Sequence, residues 1–311
     1  MIGDWQPDRT VQIVAGTPPG GGLDRVARAL EKAIADGKLL DVPVEVLNVP
    51  GDGARRVWTH CVSRYPGDGH VIAISSPNLT TDYLAGIADF EHTRYTPIAT
   101  LVTEYIAFAV RSDSGIESGA DLLAQLGREP GAITVALATA LGNPNHVALA
   151  KLTQQAGGDI SAPVVRVFDS ALDAVADVVN GNVDVCAVTA ASVIAERENG
   201  NIRLLAVTAP QRLSGPFADT PTWNEMGADC VIGAWRGVTG PSGLAPAQIT
   251  FWEDILRAAI ARPIWRDELT RLSWSPMYDD GSSLRAYLEA ERNEFVVVLS
   301  ELGLLRAPQG D

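Results

Sequence analysis

The sequence predicts an α/β protein built from two doubly wound units. Three observations carry that prediction. The first third alternates β-rich and helical runs in βαβαβ order, the pattern of a mostly parallel sheet with helices on both faces. The alternation returns between residues 118 and 209. From residue 246 onward the pattern is helical, which predicts that the chain returns to cover its first unit. The expected division is residues 1–108 with 231–311 as one domain and 109–230 as the other.

The elements follow in order. VQIVAG at 11–16 is a short β-rich run, ended by the turn TPPGGG. LDRVARALEKAIA at 23–35 has apolar residues at helical spacing, with Asp24 in the first turn, where the helix dipole favours an acid. VPVEVLNV at 42–49 is a strand, PGDGARRVWTHCVSR at 50–64 a Gly-rich turn and helix, and HVIAISSP at 70–77 a strand ending in hydroxyls. PIATLVTEYIAFAVR at 97–111 is longer than an ordinary strand and is expected to pass from one domain into the other. The second block opens with a helix near 118–126 and the strand AITVAL at 132–137. The turn ATALGNPN at 138–145 leads into the helix HVALAKLTQQAG at 146–157. Then come the strand APVVRVF at 162–168 and a helix over 169–181 that ends on Gly181, a natural C-cap. VDVCAVTA at 183–190 is a strand, SVIAERENG at 192–200 a short helix, and IRLLAVTA at 202–209 a strand. CVIGAWRGVTGPSG at 230–243 reads as a strand running into a Pro/Gly turn. Helices are predicted over 246–262, 263–272 and 282–304.

Composition narrows the function. The chain is 46% hydrophobic and 20% charged, enough for a sizeable core. Its net charge of −14 excludes nucleic acid as a partner, because phosphate binding needs a basic footprint. No run approaches the roughly 20 apolar residues that span a bilayer. The start MIGDWQPDRT lacks the basic and apolar segments of an export signal, so a cytosolic chain or a processed form is expected. Cys61, Cys186 and Cys230 fit no zinc or redox spacing, and Cys186 reads as a small core residue. The histidines His60, His70, His92 and His146 form no metal motif, and no Gly-x-Ser-x-Gly elbow is present.

In parallel αβ sheets, ligands bind beyond the carboxyl ends of the strands. The residues there are Thr17, Pro18, Pro19, Gly20 and Gly21, with Asp24 just inside the helix; Ser75 and Ser76; Thr139, Gly142, Asn143, Asn145 and His146; Asp169 and Ser170; Thr189; and Trp235 with Arg236. Hydroxyls, backbone N–H groups at helix starts and one arginine can hold a carboxylate. A nucleotide is disfavoured. The opening turn has no following lysine for a Walker loop, and Arg25 stands where a dinucleotide fingerprint needs its third glycine. A Pro/Gly turn with no ligand is the plain alternative. His146 could touch a ligand or serve as a cap or surface residue. Arg236 could pair with a carboxylate or make an ordinary ion pair. Trp235 could stack on a ligand or plug the core.

Taken together and in order, the motifs resemble a known family. They are Pro18-Pro19-Gly20-Gly21-Gly22-x-Asp24; Asn48-Val49-Pro50-Gly51-x-Gly53; Tyr65-Pro66-x-Asp68-Gly69-His70; and Tyr95-Thr96-Pro97-Ile98-Ala99. Leu204 to Thr208, Asp219-Thr220-Pro221-Thr222, Met226-Gly227 and Pro241-Ser242-Gly243 follow. This pattern is similar to the extracytoplasmic solute-binding receptors of tripartite tricarboxylate transporters, the Bug family. The resemblance implies a type II periplasmic-binding-protein fold, with two αβ domains joined by two crossing strands and closing on a ligand in an interdomain cleft. It implies capture of a small organic acid and delivery to the permease subunits of a membrane transporter. It assigns one carboxylate end to the turn Pro18 to Asp24, often through waters, and the other end to Thr139 to Asn145. Ser75 and Ser76 match a hydroxyl-bearing family turn. Where members commonly read Pro-Tyr-Lys-Gly, this chain has Arg166-Val167-Phe168-Asp169-Ser170, losing a lysine and gaining an aspartate that would suit an amino group. Its turn at 141–145 is also less rich in serine than the family's. Arg236 stands where many members are neutral and would restore a positive charge.

The resulting expectation is a periplasmic or extracytoplasmic receptor, monomeric, without enzymatic activity, cofactor or metal. A cytosolic small-molecule sensor or an enzyme on the same fold is the rival. It is disfavoured because the pattern leaves no segment for a DNA-binding helix-turn-helix and no cysteine with a supporting site.

Overall fold

The structure is a computed structural model that describes residues 5–89 and 92–306, with the side chain of His92 outside the description. The first four residues of the opening stretch MIGDWQPDRT therefore lie outside the described residues.

Chain contacts divide the molecule into two units, Met1–Tyr83 with Ile87–Thr103 and Trp235–Glu294, and Leu84–Gly86 with Glu104–Ala234 and Phe295–Asp311. Unit 1 begins with β1 (Val11–Ala15), buried along nearly all its length. The next helix is α1 (Gly22–Gly37), whose Leu23, Val26, Ala27, Leu30, Ala33 and Ile34 form the buried face that helical spacing predicts. β2 (Val44–Asn48), α2 (Arg55–Arg64), β3 (Val71–Ser75) and α3 (Asn78–Leu84) follow. β1 pairs in parallel with both β2 and β3, the doubly wound arrangement expected. β4 (Thr96–Arg111) is the long strand expected at 97–111, and it runs from unit 1 into unit 2.

Unit 2 comprises α4 (Gly119–Arg128), β5 (Thr134–Ala138), α5 (Pro144–Gln155), β6 (Val164–Phe168), α6 (Ala171–Val179), β7 (Val185–Thr189), α7 (Ile194–Glu198) and β8 (Ile202–Val207). β5 pairs in parallel with β6 and β7, while the distal half of β4 lies antiparallel to β7 and β8. The pleat sorts the core by parity. Ile106, Phe108 and Val110 join Val135, Leu137 and the inner faces of α4 and α5 in one cluster. Ala107 and Ala109 join Ala136, Cys186, Val188 and α6 in the other. The sheet of this unit is thus covered on both faces, as parallel strands require.

The return segment supplies β9 (Gly233–Gly240), α8 (Pro246–Ile260), α9 (Pro263–Leu272), β10 (Ser275–Pro276) and α10 (Gly281–Glu301). β9 crosses from unit 2 to unit 1 and lies antiparallel to β3, so β4 and β9 are two strands shared by the units. The predicted helical cover is present in α8 and α9, which pack on α1. The division differs in detail from the one expected from sequence. The exchange points fall at 103/104 and 234/235, and everything from Phe295 on groups with unit 2. The reason is packing: Phe295 and Leu299 bury themselves with Leu84 and Val147.

All three cysteines are buried and free. Burial pushes each thiol up to about 12, far from the thiolate that reacts. Native protein should therefore resist iodoacetamide at a pH of about 8, where an ordinary thiol is partly ionised. Labelling should appear only in denaturant. Fast labelling of the native chain would contradict this packing.

Candidate functional site

In unit 1 the strand-to-helix turn is built by its own sequence. Gly21 N–H donates to Pro18 O at 2.9 Å. Gly20, at the third position of this turn, has φ +83°. A proline followed by a glycine with positive φ is the demand of a type II turn. Asp24 does not face outward. It is 1% exposed, and its carboxylate accepts from Gly20 N–H at 2.7 Å, from Asn48 Nδ2 at 2.8 Å and from Arg28 Nε at 3.0 Å. Thr17 Oγ1 accepts the Asp24 N–H at 3.1 Å, and Thr17 O accepts a second bond from Asn48 Nδ2 at 2.8 Å. Arg25 donates to Gly20 O at 2.8 Å. The first two amides of α1, those of Gly22 and Leu23, have no acceptor among the described residues. Such orphan donors at a helix start are where an anion is held. Pro18, Pro19 and Gly20 are exposed beside them.

The other unit 1 residues are placed differently. Ser75 is buried, accepts from Thr239 Oγ1 at 2.9 Å, and helps line a void of about 10 Å³, the room of one water. Thr80, Thr100 and Trp235 line the same void. Trp235 is buried against Leu284 and Leu288. Its Nε1 donates to both oxygens of Glu291, at 2.9 and 2.8 Å, and Tyr287 donates to the same carboxylate at 3.0 Å. Burial raises the Glu291 pKa to about 7 despite these bonds. Arg236 is also buried, next along β9, so the pleat turns it to the opposite face from Trp235. Ser76 is buried at the end of β3.

In unit 2 the turn after β5 contains a strained residue. Thr139 has φ +73°, an outlier for a β-branched side chain. Its N–H donates to Phe168 O at 2.7 Å, and Asn143 Nδ2 donates to its Oγ1 at 3.2 Å and to Ala138 O at 2.7 Å. Asn143 is the N-cap of α5. Its Oδ1 accepts from the Asn145 and His146 amides at 3.1 and 3.3 Å. Gly142 N–H donates to His146 Nδ1 at 3.0 Å. That bond requires a bare Nδ1, so the neutral ring carries its proton on Nε2. Asn145 and His146 are 6% and 7% exposed, and neither the Asn145 side-chain amide nor His146 Nε2 has a partner among the described residues.

The Thr139–Phe168 bond brings Asp169 and Ser170 beside this turn. Asp169 is exposed. Ser170 is spent as the N-cap of α6: its hydroxyl accepts the Asp173 N–H and donates to the Asp173 carboxylate. Thr189, at the end of β7, lies 3.2 Å from the Ser192 hydroxyl. Asn48, Arg28 and Glu291 are not among the residues expected from sequence. Arg28 carries a signal, four residues after Asp24; Asn48 carries one as the last residue of a strand and the first of the motif Asn48-Val49-Pro50-Gly51, and Glu291 none.

Burial lowers the His146 pKa to about 4. Nitrogen NMR should show the Nε2–H tautomer near neutral pH and a midpoint near that value. A midpoint close to the ordinary histidine range would exclude burial as the controlling force. Between about 6.5 and 4 the unfolded chain takes up this proton and the folded chain does not. Stability from this residue therefore falls by about 3 kcal/mol as pH drops through that window. Glu291 acts oppositely, its burial costing stability as pH rises from the ordinary glutamate range through about 7.

Neither turn pairs a nucleophile with a base among the described residues, while each offers hydrogen-bonding groups at a helix start. Two αβ units of this build are an architecture that solute-binding proteins use. The chain belongs to the tripartite tricarboxylate transporter family receptors, TctC, whose family model matches residues 26–304. Protein BugT of Bordetella pertussis is 24% identical over 307 residues, covering 96% of this chain and 91% of that one. A protein from the tcbD-tcbE intergenic region of Pseudomonas sp. strain P51 is 29% identical over 58% of this chain, and the match spans only 52% of that relative. Among solved structures, R. palustris Rpa4515 with adipate has a TM-score of 0.85 at 21% identity, over 96% of this chain and 99% of that one. The periplasmic binding protein BugD has a TM-score of 0.83 at 21% identity, over 97% and 100%. MatC from Rhodopseudomonas palustris with bound malate has a TM-score of 0.79 at 20% identity, over 94% and 100%. These likenesses fix the fold as that of the periplasmic binding proteins. Family and neighbours are solute-binding receptors, not enzymes. No helix among the described residues is long and apolar enough to cross a membrane.

Proposed function

We propose that this chain is an extracytoplasmic receptor that captures a small organic carboxylate and delivers it to the permease subunits of a tripartite tricarboxylate-type transporter, acting as a monomer. The observation that carries this reading is the start of α1, where the Gly22 and Leu23 amides lack an acceptor among the described residues, above an exposed Pro-Pro-Gly turn. The nearest acid, Asp24, is already neutralised by Arg28 and by two N–H donors. A carboxylate set on those amides gains charge-assisted hydrogen bonds and the helix dipole without meeting an uncompensated negative charge. Adipate and malate, held by two proteins of the same fold, are compatible with this chemistry.

The test is a calorimetric and thermal-shift panel of carboxylates, with mass spectrometry of any molecule that copurifies. A carboxylate at roughly a hundred times its Kd should stabilise the chain by about 2.7 kcal/mol. Failure of every carboxylate to bind, or turnover of a bound one, would overturn the reading.

A further inference from the structure

We infer that unit 1 carries a second small-molecule site, between α2 and the start of α3, that takes a monocarboxylate with an apolar body. The site is separate from the turn before α1, and it stands or falls independently of the proposed transport role.

A cavity of about 420 Å³ opens there, within the range of small-molecule sites. Its lining residues all belong to unit 1, and none is a strand-end residue named above. Trp58, Leu79 and Tyr95 supply an apolar wall from one buried cluster, with the Trp58 and Tyr95 rings edge to face at 6.1 Å. Ile87 lines the same cavity and is 42% exposed, an apolar side chain left uncovered. The turn that leads into α2 is unusual: Asp52 and Ala54 have φ +53° and +74°, a left-handed conformation that non-glycine residues rarely adopt.

The polar part of the cavity is incomplete. Arg55 lines it with its side chain 25% exposed, and its partner among the described residues is Asp82 at 3.7 Å, an ion-pair distance too long for a hydrogen bond. Asp82 is 1% exposed, and neither of its carboxylate oxygens has a hydrogen-bond partner among the described residues; nor has Trp58 Nε1. Buried polar groups are ordinarily paired, and those left over call for an explanation. Burial raises the Asp82 pKa to about 7 against the pull of Arg55. Near neutral pH the charge behind Arg55 is therefore only partly present to oppose an anion on it. The arginine reaches the cavity and the aspartate does not.

A guanidinium with unfilled donors suits an oxyanion held bidentately. The remaining charges in the lining favour a ligand with one negative charge: Arg56 is paired with Asp52 at 3.5 Å, and Asp89 is exposed. A second carboxylate would meet those aspartates. The apolar wall takes the body of the ligand, which an inorganic anion lacks.

The probe is benzoate, with benzamide as its neutral counterpart, titrated into nitrogen-labelled chain. The Trp58 indole N–H signal, assigned by its loss in Trp58→Phe, reports this cavity, whereas the turn before α1 contains no tryptophan. Benzoate should move that signal saturably below about 10 mM, and benzamide should bind at least about tenfold more weakly. Terephthalate, with a second carboxylate on the same ring, should bind about threefold more weakly or worse. Arg55→Gln should weaken benzoate at least about tenfold and leave benzamide unchanged. If that variant unfolds because Asp82 is stranded, Arg55→Gln combined with Asp82→Asn removes both charges, and the same loss is expected of it. A Trp58 signal that does not move, equal affinity for benzoate and benzamide, terephthalate binding as tightly as benzoate, or full benzoate affinity in a folded variant would each overturn the inference.

Discussion

Replacing Asp24 with alanine should cost about 3 kcal/mol of stability and abolish carboxylate binding. The side chain is almost fully buried, and three donors from three places in the chain converge on it: the Gly20 amide, the Asn48 side chain and Arg28. Removing the acceptor strands them at once. Arg28 is half-exposed and can turn to water, so the loss falls mainly on the Gly20 and Asn48 donors. Without Asp24 nothing ties Gly20 back to the first turn of α1, and the open amides of Gly22 and Leu23 lose their fixed direction. Asp24→Asn separates this role from direct ligand contact. Its amide oxygen can still accept from Gly20 or Asn48, so it should lose about half as much stability and retain weak binding. A ligand-contacting aspartate would behave otherwise, with both variants losing affinity equally while stability stayed near wild type. Urea denaturation and calorimetry on the two variants distinguish these outcomes, and wild-type affinity in Asp24→Ala would remove the residue from the turn's framework.

How much of this was legible depended on how local each signal is. The parity of Ile106, Phe108 and Val110 against Ala107 and Ala109, and the helical spacing in α1, are local patterns, and the structure follows them. α3 gives no such signal, because its opening residues, Asn78 to Asp82, are all buried and present no polar face from which to read a period. The insertion of β9 next to β3, and the capture of Phe295 and Leu299 by unit 2, are contacts between residues far apart in sequence, which no window detects. In the site the turns themselves were legible, because proline and glycine announce them. The use of each side chain was not. Asp24 and Ser170 looked available and are spent on their own helices, and Trp235 gives its N–H to a carboxylate 56 residues away. A sequence shows which groups lie near a strand end; only the hydrogen-bond partners show which are left over.

Gly142 is the position in unit 2 where the hydrogen bonds and the packing meet, and alanine there should destabilise the unit by about 3 kcal/mol and weaken ligand binding at least about tenfold. Two independent costs combine. The residue has φ +79°. An L side chain in that region is strained by about 1–2 kcal/mol. An added Cβ would lie 2.4 Å from Leu299 Cδ2, and Leu299 is fully buried among Leu84, Val147 and Phe295. Either that cluster opens or the turn shifts, and overpacking of this kind costs about 1–3 kcal/mol. A shifted turn displaces the Gly142 N–H from His146 Nδ1, the bond that sets which nitrogen carries the proton. Binding should therefore fall even under conditions where the variant is fully folded. The steric part can be isolated by a double-mutant cycle with Leu299→Ala, which leaves a cavity on its own at a cost of about 2–5 kcal/mol. The methyl group introduced by Gly142→Ala fills part of that space, so the double variant should be more stable than the sum of the single losses predicts, by about 1 kcal/mol. Strict additivity would mean that the backbone strain alone accounts for the loss and that the turn does not lean on Leu299.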